Sequence, residues 1–287
     1  MFRKYFLQYE IKDFLNKLIN KLRSKQHWNY SIKGILFENK NINPLTIMDR
    51  FERYKRIIKN SGQNDLNGLC VKNKSVYELG CGPLLGFGPF FNFIGSKLYI
   101  YDEPFLNQNT LRSHEIKELY FLPLFEELKM NYQNNFSSDE FYESTLSNSL
   151  NGIKNFNDQF DTFISNSVIE HIPKENLMQL FEEIYKKQKK GGYFLHAVDF
   201  GSHGKYGKGF GNMYSHNKKR VFDKIPALNL LRKSEVKEII EKIGWKILST
   251  IVYRKLPVDR KKVDRSWSHF SDEDLESRVV LFYGRKL

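Results

Sequence analysis

The residues best suited to chemistry begin at Glu78-Leu79-Gly80-Cys81-Gly82-Pro83, where a short strand pattern (Val76, Tyr77, Leu79) runs straight into a glycine turn. Glycine has no Cβ, so the chain turns sharply there and a ligand can approach the main chain closely. The carboxyl end of a first strand is also where an α/β sheet binds a nucleotide-like cofactor. The spacing Gly80-x-Gly82-x-x-x-Gly86 departs from the dinucleotide fingerprint, whose third glycine comes one residue earlier. Glu78 sharpens the distinction, because a carboxylate ahead of the turn repels a pyrophosphate but suits an ammonium group. Together these features predict a cofactor with an amino-acid end and an adenosine end in place of NAD. Asp102 lies about twenty residues beyond the turn, the spacing at which an acid can accept hydrogen bonds from both ribose hydroxyls. Glu103 follows it and could share the task.

These residues need elements to hold them, and the sequence supplies strands alternating with helices. Strands are expected over 75–79, 97–102, 160–165, 193–199, 245–253 and 278–285, with a further one somewhere in 140–153. Helices are expected over 44–60, from the glycine turn to about Gly95, over 112–130 with a kink at Pro123, and after Pro173. Lys189-Lys190-Gly191-Gly192 reads as the end of that last helix, and Ser234 as the cap of a helix reaching Ile243. The alternation indicates a mostly parallel sheet. The helix at 44–60 precedes the first strand and is placed to cover the cofactor mouth, with Arg53 and Tyr54 able to reach in. From Phe200 to Phe210 a glycine-bearing loop carries His203, and loops at strand carboxyl ends often carry function.

The 287 residues suffice for one large or two small domains with a sizeable core. The formal net charge of +13 invites a nucleic-acid or membrane partner. The excess is diffuse, however, with no basic stripe interleaved with stacking aromatics as single-strand binders require. Two cysteines, Cys70 and Cys81, are too few for a disulfide framework and lack zinc-ligand spacing. A reducing cytoplasmic compartment and no metal are therefore expected. No stretch approaches the roughly 18 apolar residues of a membrane span. The basic N-terminus lacks an apolar core for a signal peptide. Residues 1–27 read as a basic amphipathic helix, which packs on the domain or a partner subunit, or docks peripherally on an anionic membrane.

In chain order, Glu78–Pro83, Asp102, Phe160-Asp161, Ser165-Asn166-Ser167-Val168-Ile169-Glu170-His171-Ile172 and the Gly191-Gly192 turn resemble the class I S-adenosylmethionine-dependent methyltransferases. The similarity covers about residues 50–287. His196-x-Val198-Asp199 with His203, and then Asn229-Leu230-Leu231-Arg232, resemble a bacterial subgroup, some of whose members sit among genes for surface-glycan assembly. The resemblance implies a Rossmann-like α/β fold: a seven-stranded, mostly parallel sheet with helices on both faces and the last strand antiparallel. That domain would span 46–287, preceded by a basic helical extension over 1–45.

The resemblance further implies methyl transfer from S-adenosylmethionine. The main chain of Leu79, Gly80, Cys81 and Gly82 would lie against the cofactor's amino-acid end, with Glu78 as counter-charge to its ammonium. Asp102 and Glu103 would hold the ribose, while Ser165, Asn166 and Ser167 would border the sulfonium and the acceptor. A hydroxyl acceptor loses its proton during attack, and a base with a pKa near the working pH helps. His203 is the first choice, Asp199 is its orienter, and His171 resembles a position that often buttresses the loop after the fourth strand. His196 reads as a core histidine inside its strand. The acceptor is expected to be a small molecule or glycan hydroxyl. RNA methylation and a non-enzymatic, partner-binding methyltransferase-like domain are the alternatives.

Overall fold

A computed structural model describes residues 44–82, 84–101, 108–152, 159–203, 205–206 and 213–287. The amphipathic stretch 1–27, Pro83 and both ribose candidates, Asp102 and Glu103, lie outside the described residues. The first element is helix α1 (Pro44–Asn60), which buries Met48, Phe51, Tyr54 and Ile58 along one stripe and ends where Gly62 takes φ +86°. Strand β1 (Ser75–Leu79) leads through the glycine turn to the short helix α2 (Gly88–Phe93), then to β2 (Lys97–Tyr101). Helices α3 (Leu122–Asn131) and α4 (Ser138–Gly152) precede β3 (Phe160–Asn166). Helix α5 (Lys174–Lys187), strand β4 (Gln188–Asp199), helices α6 (Lys218–Lys224) and α7 (Lys233–Ile243), and strand β5 (Trp245–Lys255) follow. Helix α8 (Asp272–Glu276) and strand β6 (Ser277–Lys286) complete the order.

The sheet runs β2-β1-β3-β4-β6-β5. The first four strands are parallel, and β6 pairs antiparallel with both β4 and β5. Strand side chains alternate between two cores, as the pleat requires. Val76, Ile164, Leu195 and Ala197 join α1, α2 and α3 on one face. Tyr77, Leu79, Phe163, Phe194 and Val198 join α5 and α7 on the other. From β1 the chain crosses one way to β2 and later the other way to β3. That reversal opens a crevice at the carboxyl ends of β1 and β3, where open α/β sheets bind ligands.

Four expectations are corrected. Six strands, not seven, form the sheet among the described residues, and 140–152 is helical. Ser137 and Glu140 cap α4 reciprocally: Ser137 N–H donates to Glu140 Oε2 at 2.7 Å, and Glu140 N–H donates to Ser137 Oγ at 3.2 Å. The buried Phe141, Tyr142, Thr145 and Leu146 then follow the helical period, and α4 packs against β2. The helix after the glycine turn is confined to Gly88–Phe93, because Leu85 and Gly86 both hold positive φ just before it. Lys189–Gly192 belongs to β4, not to the end of α5. There Gly191 takes φ +74°, the pairing with β3 is irregular, and Lys189 reaches Asp161 at 3.0 Å. Helix α7 starts at Lys233, with its cap two residues before the expected Ser234. Arg232 is its N-cap, with Arg232 N–H donating to Glu235 at 3.0 Å.

Pro123 does divide its helical run, since it lacks the N–H that would bond the Leu119 carbonyl. A π-type turn over Lys117–Phe121 precedes α3. Among the described residues no helix is long and apolar enough to cross a membrane.

Helix α1 is anchored by Phe51, only 1% exposed, whose ring meets Phe87, Phe90 and Phe91 at centroid distances of 5.8, 5.8 and 5.0 Å. Phe51→Ala is expected to lower stability by about 3–5 kcal/mol, measured by urea unfolding against the wild type.

Candidate active site

The glycine loop is folded over a carboxylate. Glu78 is 3% exposed, and the Phe87 N–H donates to its two oxygens at 3.0 and 3.1 Å. Gly86 makes that closure possible, since a Cβ there would sit 2.1 Å from Glu78 Oε1. Gly80 and Gly82 both occupy the left-handed region, at φ +73° and +68°. A Cβ on Gly80 would strike Val168 at 2.1 Å, so the loop lies directly on the turn after β3. Gly82 differs, because among the described residues a Cβ there would meet nothing within 4 Å. Bare main chain with open space beside it is a cradle into which a ligand fits. Cys81 is buried with its thiol toward the Gly82 carbonyl at 3.5 Å, and the Leu79 side chain is core, so only its main chain can face a ligand.

The end of β3 meets α1. Tyr54 OH donates to Asn166 Oδ1 at 2.7 Å, across 112 residues of sequence. Burial pushes the Tyr54 phenol up to about 12, so it stays a donor at neutral pH. Tyr54 packs edge-on against Tyr253 of β5, whose hydroxyl accepts from Arg53 at 3.1 Å. Helix α1 thus lies beside the carboxyl end of β3, as its position ahead of β1 predicts. Ser165 turns inward, bonded to His196 Nδ1 at 2.9 Å. Ser167 is exposed at φ +54°, with its N–H held by the Ala197 carbonyl at 2.8 Å.

A polar cluster follows at the ends of β3 and β4. The turn Ile169–His171 is clamped by Asn229, whose amide donates to the Ile169 and Ile172 carbonyls, both at 2.7 Å. His171 Nδ1 lies 2.9 Å from the Ala227 carbonyl, which only accepts, so Nδ1 carries the proton and Nε2 keeps its lone pair. Burial lowers the His171 pKa to about 4. The His203 ring stands at 70° to it, centroids 5.0 Å apart. His203 has an exposed edge, yet burial of its ring face lowers its pKa, with the nearby Asp199 opposing and Arg278 adding to the shift.

Asp199 is bound by Arg278, through Nε to Oδ1 at 2.9 Å and Nη2 to Oδ2 at 3.0 Å, and it accepts from Gly201 N–H at 2.8 Å. It therefore acts on His203 through charge. Glu170 is buried, and burial pushes its carboxyl up to about 8. Its Oε1 accepts from Asp199 N–H at 3.3 Å, while Oε2 has no partner among the described residues.

The structure thus brings the Gly80–Gly82 loop, Asn166, His171, Asp199 and His203 to one end of the sheet. Ser165 and His196 lie inside it. Glu170, Arg278 and Ala227 carry no site role in the sequence analysis. Glu170 is legible only as part of a motif, and the contacts of Arg278 and Ala227 depend on distant partners. Tyr54 and Asn166 are each anticipated, but the hydrogen bond between them is not.

No family model and no curated protein matches the sequence of this chain. Among solved structures it is similar to magnesium protoporphyrin IX methyltransferase from Synechocystis bound to S-adenosylhomocysteine, at 11% identity and TM-score 0.44 over 99% of both chains. It is also similar to the N-methyltransferase NodS from Bradyrhizobium japonicum, at 10% identity and TM-score 0.40 over 85% of this chain and 88% of that one. An S-adenosylmethionine-dependent methyltransferase from Mesorhizobium loti aligns at 11% identity and TM-score 0.40, over 75% of this chain and 92% of that one.

Two measurements test this geometry. Tyr54→Phe removes one buried hydrogen bond and should cost about 1 kcal/mol by chemical denaturation. His196, stacked between Phe181 and Phe194, has its pKa lowered by burial from 6.5 to about 3. Between those values the unfolded chain binds the extra proton, so this contribution to stability is complete above pH 6.5 and declines as pH falls toward 3. The slope reaches about 1.4 kcal/mol per pH unit. His196→Leu should flatten the acid limb of a stability-versus-pH curve by that one proton.

Proposed function

We propose that this chain is an S-adenosylmethionine-dependent methyltransferase acting on a hydroxyl of a small molecule or glycan. The observation that carries the reading is the cradle after β1: two glycines at positive φ, one pressed on Val168 and the other facing open space. It lies at the crevice created by the reversal of strand order. When bound, S-adenosylmethionine supplies an electrophilic methyl group, whose bond to sulfur breaks with its electron pair as the acceptor oxygen bonds carbon and sheds its proton. The Gly80–Gly82 main chain takes the amino-acid end. Buried Glu78 holds the loop through Phe87 and adds negative charge for the ammonium. Asp102, with Glu103, is assigned the ribose from its spacing after the loop.

Acceptor positioning falls to the ends of β3 and β4, and positioning supplies much of the rate in such displacements. Asn166 is oriented by Tyr54, and Ser167 projects beside it. The neutral imidazoles of His171 and His203 favour an acceptor that must lose a proton, which His203 is placed to take, with Asp199 stabilising the resulting charge.

Isothermal calorimetry with S-adenosylmethionine tests the reading. Wild type is expected to bind at micromolar concentrations, and Asp102→Ala to bind at least about tenfold more weakly. Gly80→Ala, forced into Val168 from a left-handed backbone, should abolish binding. Failure of the wild type to bind at millimolar concentration overturns the proposal. A methyl-transfer screen over sugars, lipid-linked glycans and tRNA then identifies the acceptor.

A further inference from the structure

Glu170, His171 and His203 each present a ligand-competent atom, and these atoms lie within 4.8 Å of one another. From this grouping we propose that the three residues form a two-histidine, one-carboxylate site for a divalent transition cation. The chemistry of each donor fits the role. Glu170 Oε2 is buried without a partner among the described residues, an arrangement that costs free energy unless something positive sits against it. His171 is oriented as metal-binding imidazoles usually are, with Nδ1–H donating to a backbone carbonyl and Nε2 left free.

The surroundings are rigid where they need to be. Asn229 clamps the turn that carries both Glu170 and His171. Arg278, the positive group felt by the cluster among the described residues, is already paired with Asp199 through two contacts. His203 comes from the loop after β4 and has an exposed edge, so it is the ligand able to move. Movement is required, since a tetrahedral ion with bonds near 2.1 Å sets its ligands only about 3.4 Å apart. Two imidazoles exclude magnesium and calcium, which take oxygen ligands, and select ions of the zinc, cobalt, manganese or ferrous class. Three protein ligands leave a position open, which marks a catalytic rather than a structural site.

The catalytic consequence rests on the methyl-transfer reading, whereas cation binding does not. An acceptor hydroxyl in the open position would bind the cation through oxygen, and its O–H would be acidified as metal-bound water is. Its proton would leave to solvent, and the oxygen would then take the methyl group as the carbon–sulfur bond breaks toward sulfur. His203 would serve as a ligand in the loaded protein, so solvent would take the proton in its place and the cation would acidify the hydroxyl.

Cobalt(II) titration of the full chain, followed by visible d–d absorption, tests the site. One ion per chain is expected, displaced stoichiometrically by zinc, with at least a tenfold weaker affinity in Glu170→Gln and in His203→Ala. His203 is on the surface, so its replacement spares the core, and far-ultraviolet circular dichroism verifies that both variants are folded. Absence of d–d bands in the wild type overturns the site, as do bands of unchanged strength in both variants. A separate S-adenosylmethionine titration of the wild type keeps the two readings apart. Cobalt binding without cofactor binding upholds the cation site and removes methyl transfer; cofactor binding without cobalt does the reverse.

Discussion

The carboxylate of Glu78 is the group around which the glycine-loop half of the molecule is arranged. A buried carboxylate is expensive unless it is hydrogen-bonded, and here the Phe87 N–H bonds it across the whole glycine loop. That bond requires Gly86, because any side chain there would collide with the carboxylate. Phe87 is also the residue from which α2 starts, so the loop's closure sets where the helix lies. The phenyl rings at 87, 90 and 91 then receive Phe51, which locates α1 on the sheet. From that position Tyr54 reaches Asn166. A single satisfied acid thus connects the first strand to the end of the third.

The half at the ends of β3 and β4 depends on a different solution. Here polar groups sit in the interior and are held by main-chain contacts from distant segments. The segment 227–229 holds the Glu170–His171 turn, and Arg232 donates to the Phe200 carbonyl at 2.9 Å, below the rings of Phe200, Tyr214 and Trp267. Gly201 leaves room for the Arg278 guanidinium, which a Cβ would overlap, and so permits the Asp199 ion pair. These contacts make the end of β4 rigid up to Ser202, while His203 stands at φ +49° on the exposed side. A firm platform bearing one adjustable histidine is suited to positioning a substrate group or an ion.

Much of the fold was legible because its signals are local. The period-2 apolar pattern located β1, the glycine turn marked its end, and the stripe Met48, Phe51, Tyr54 and Ile58 located α1. The last strand was placed at 278–285 from the sequence, and its antiparallel pairing, implied by the resemblance, is the one the sheet shows. The sequence was misread where two local patterns compete. Residues 140–152 contain enough apolar residues for a strand, yet the Ser137/Glu140 cap and the helical spacing after it prevail. Lys189–Gly192 has the composition of a helix end but is drawn into β4 by Asp161 and its β3 partner strand.

By itself the sequence determined the first-strand end: a glycine loop behind a carboxylate, on the first strand of a parallel sheet. Those features lie within a few consecutive residues, where backbone sterics alone dictate the conformation. Only the tertiary structure decided the polar cluster at the ends of β3 and β4. It stopped the sheet at six strands among the described residues, joined Ser165 to His196 and bound Asp199 to Arg278. It also gathered Glu170, His171 and His203, with one potential ligand atom of each lying within 4.8 Å of the others. Residues far apart in the chain meet through crossover connections and helix packing, and no spacing rule encodes where two such connections bring side chains together.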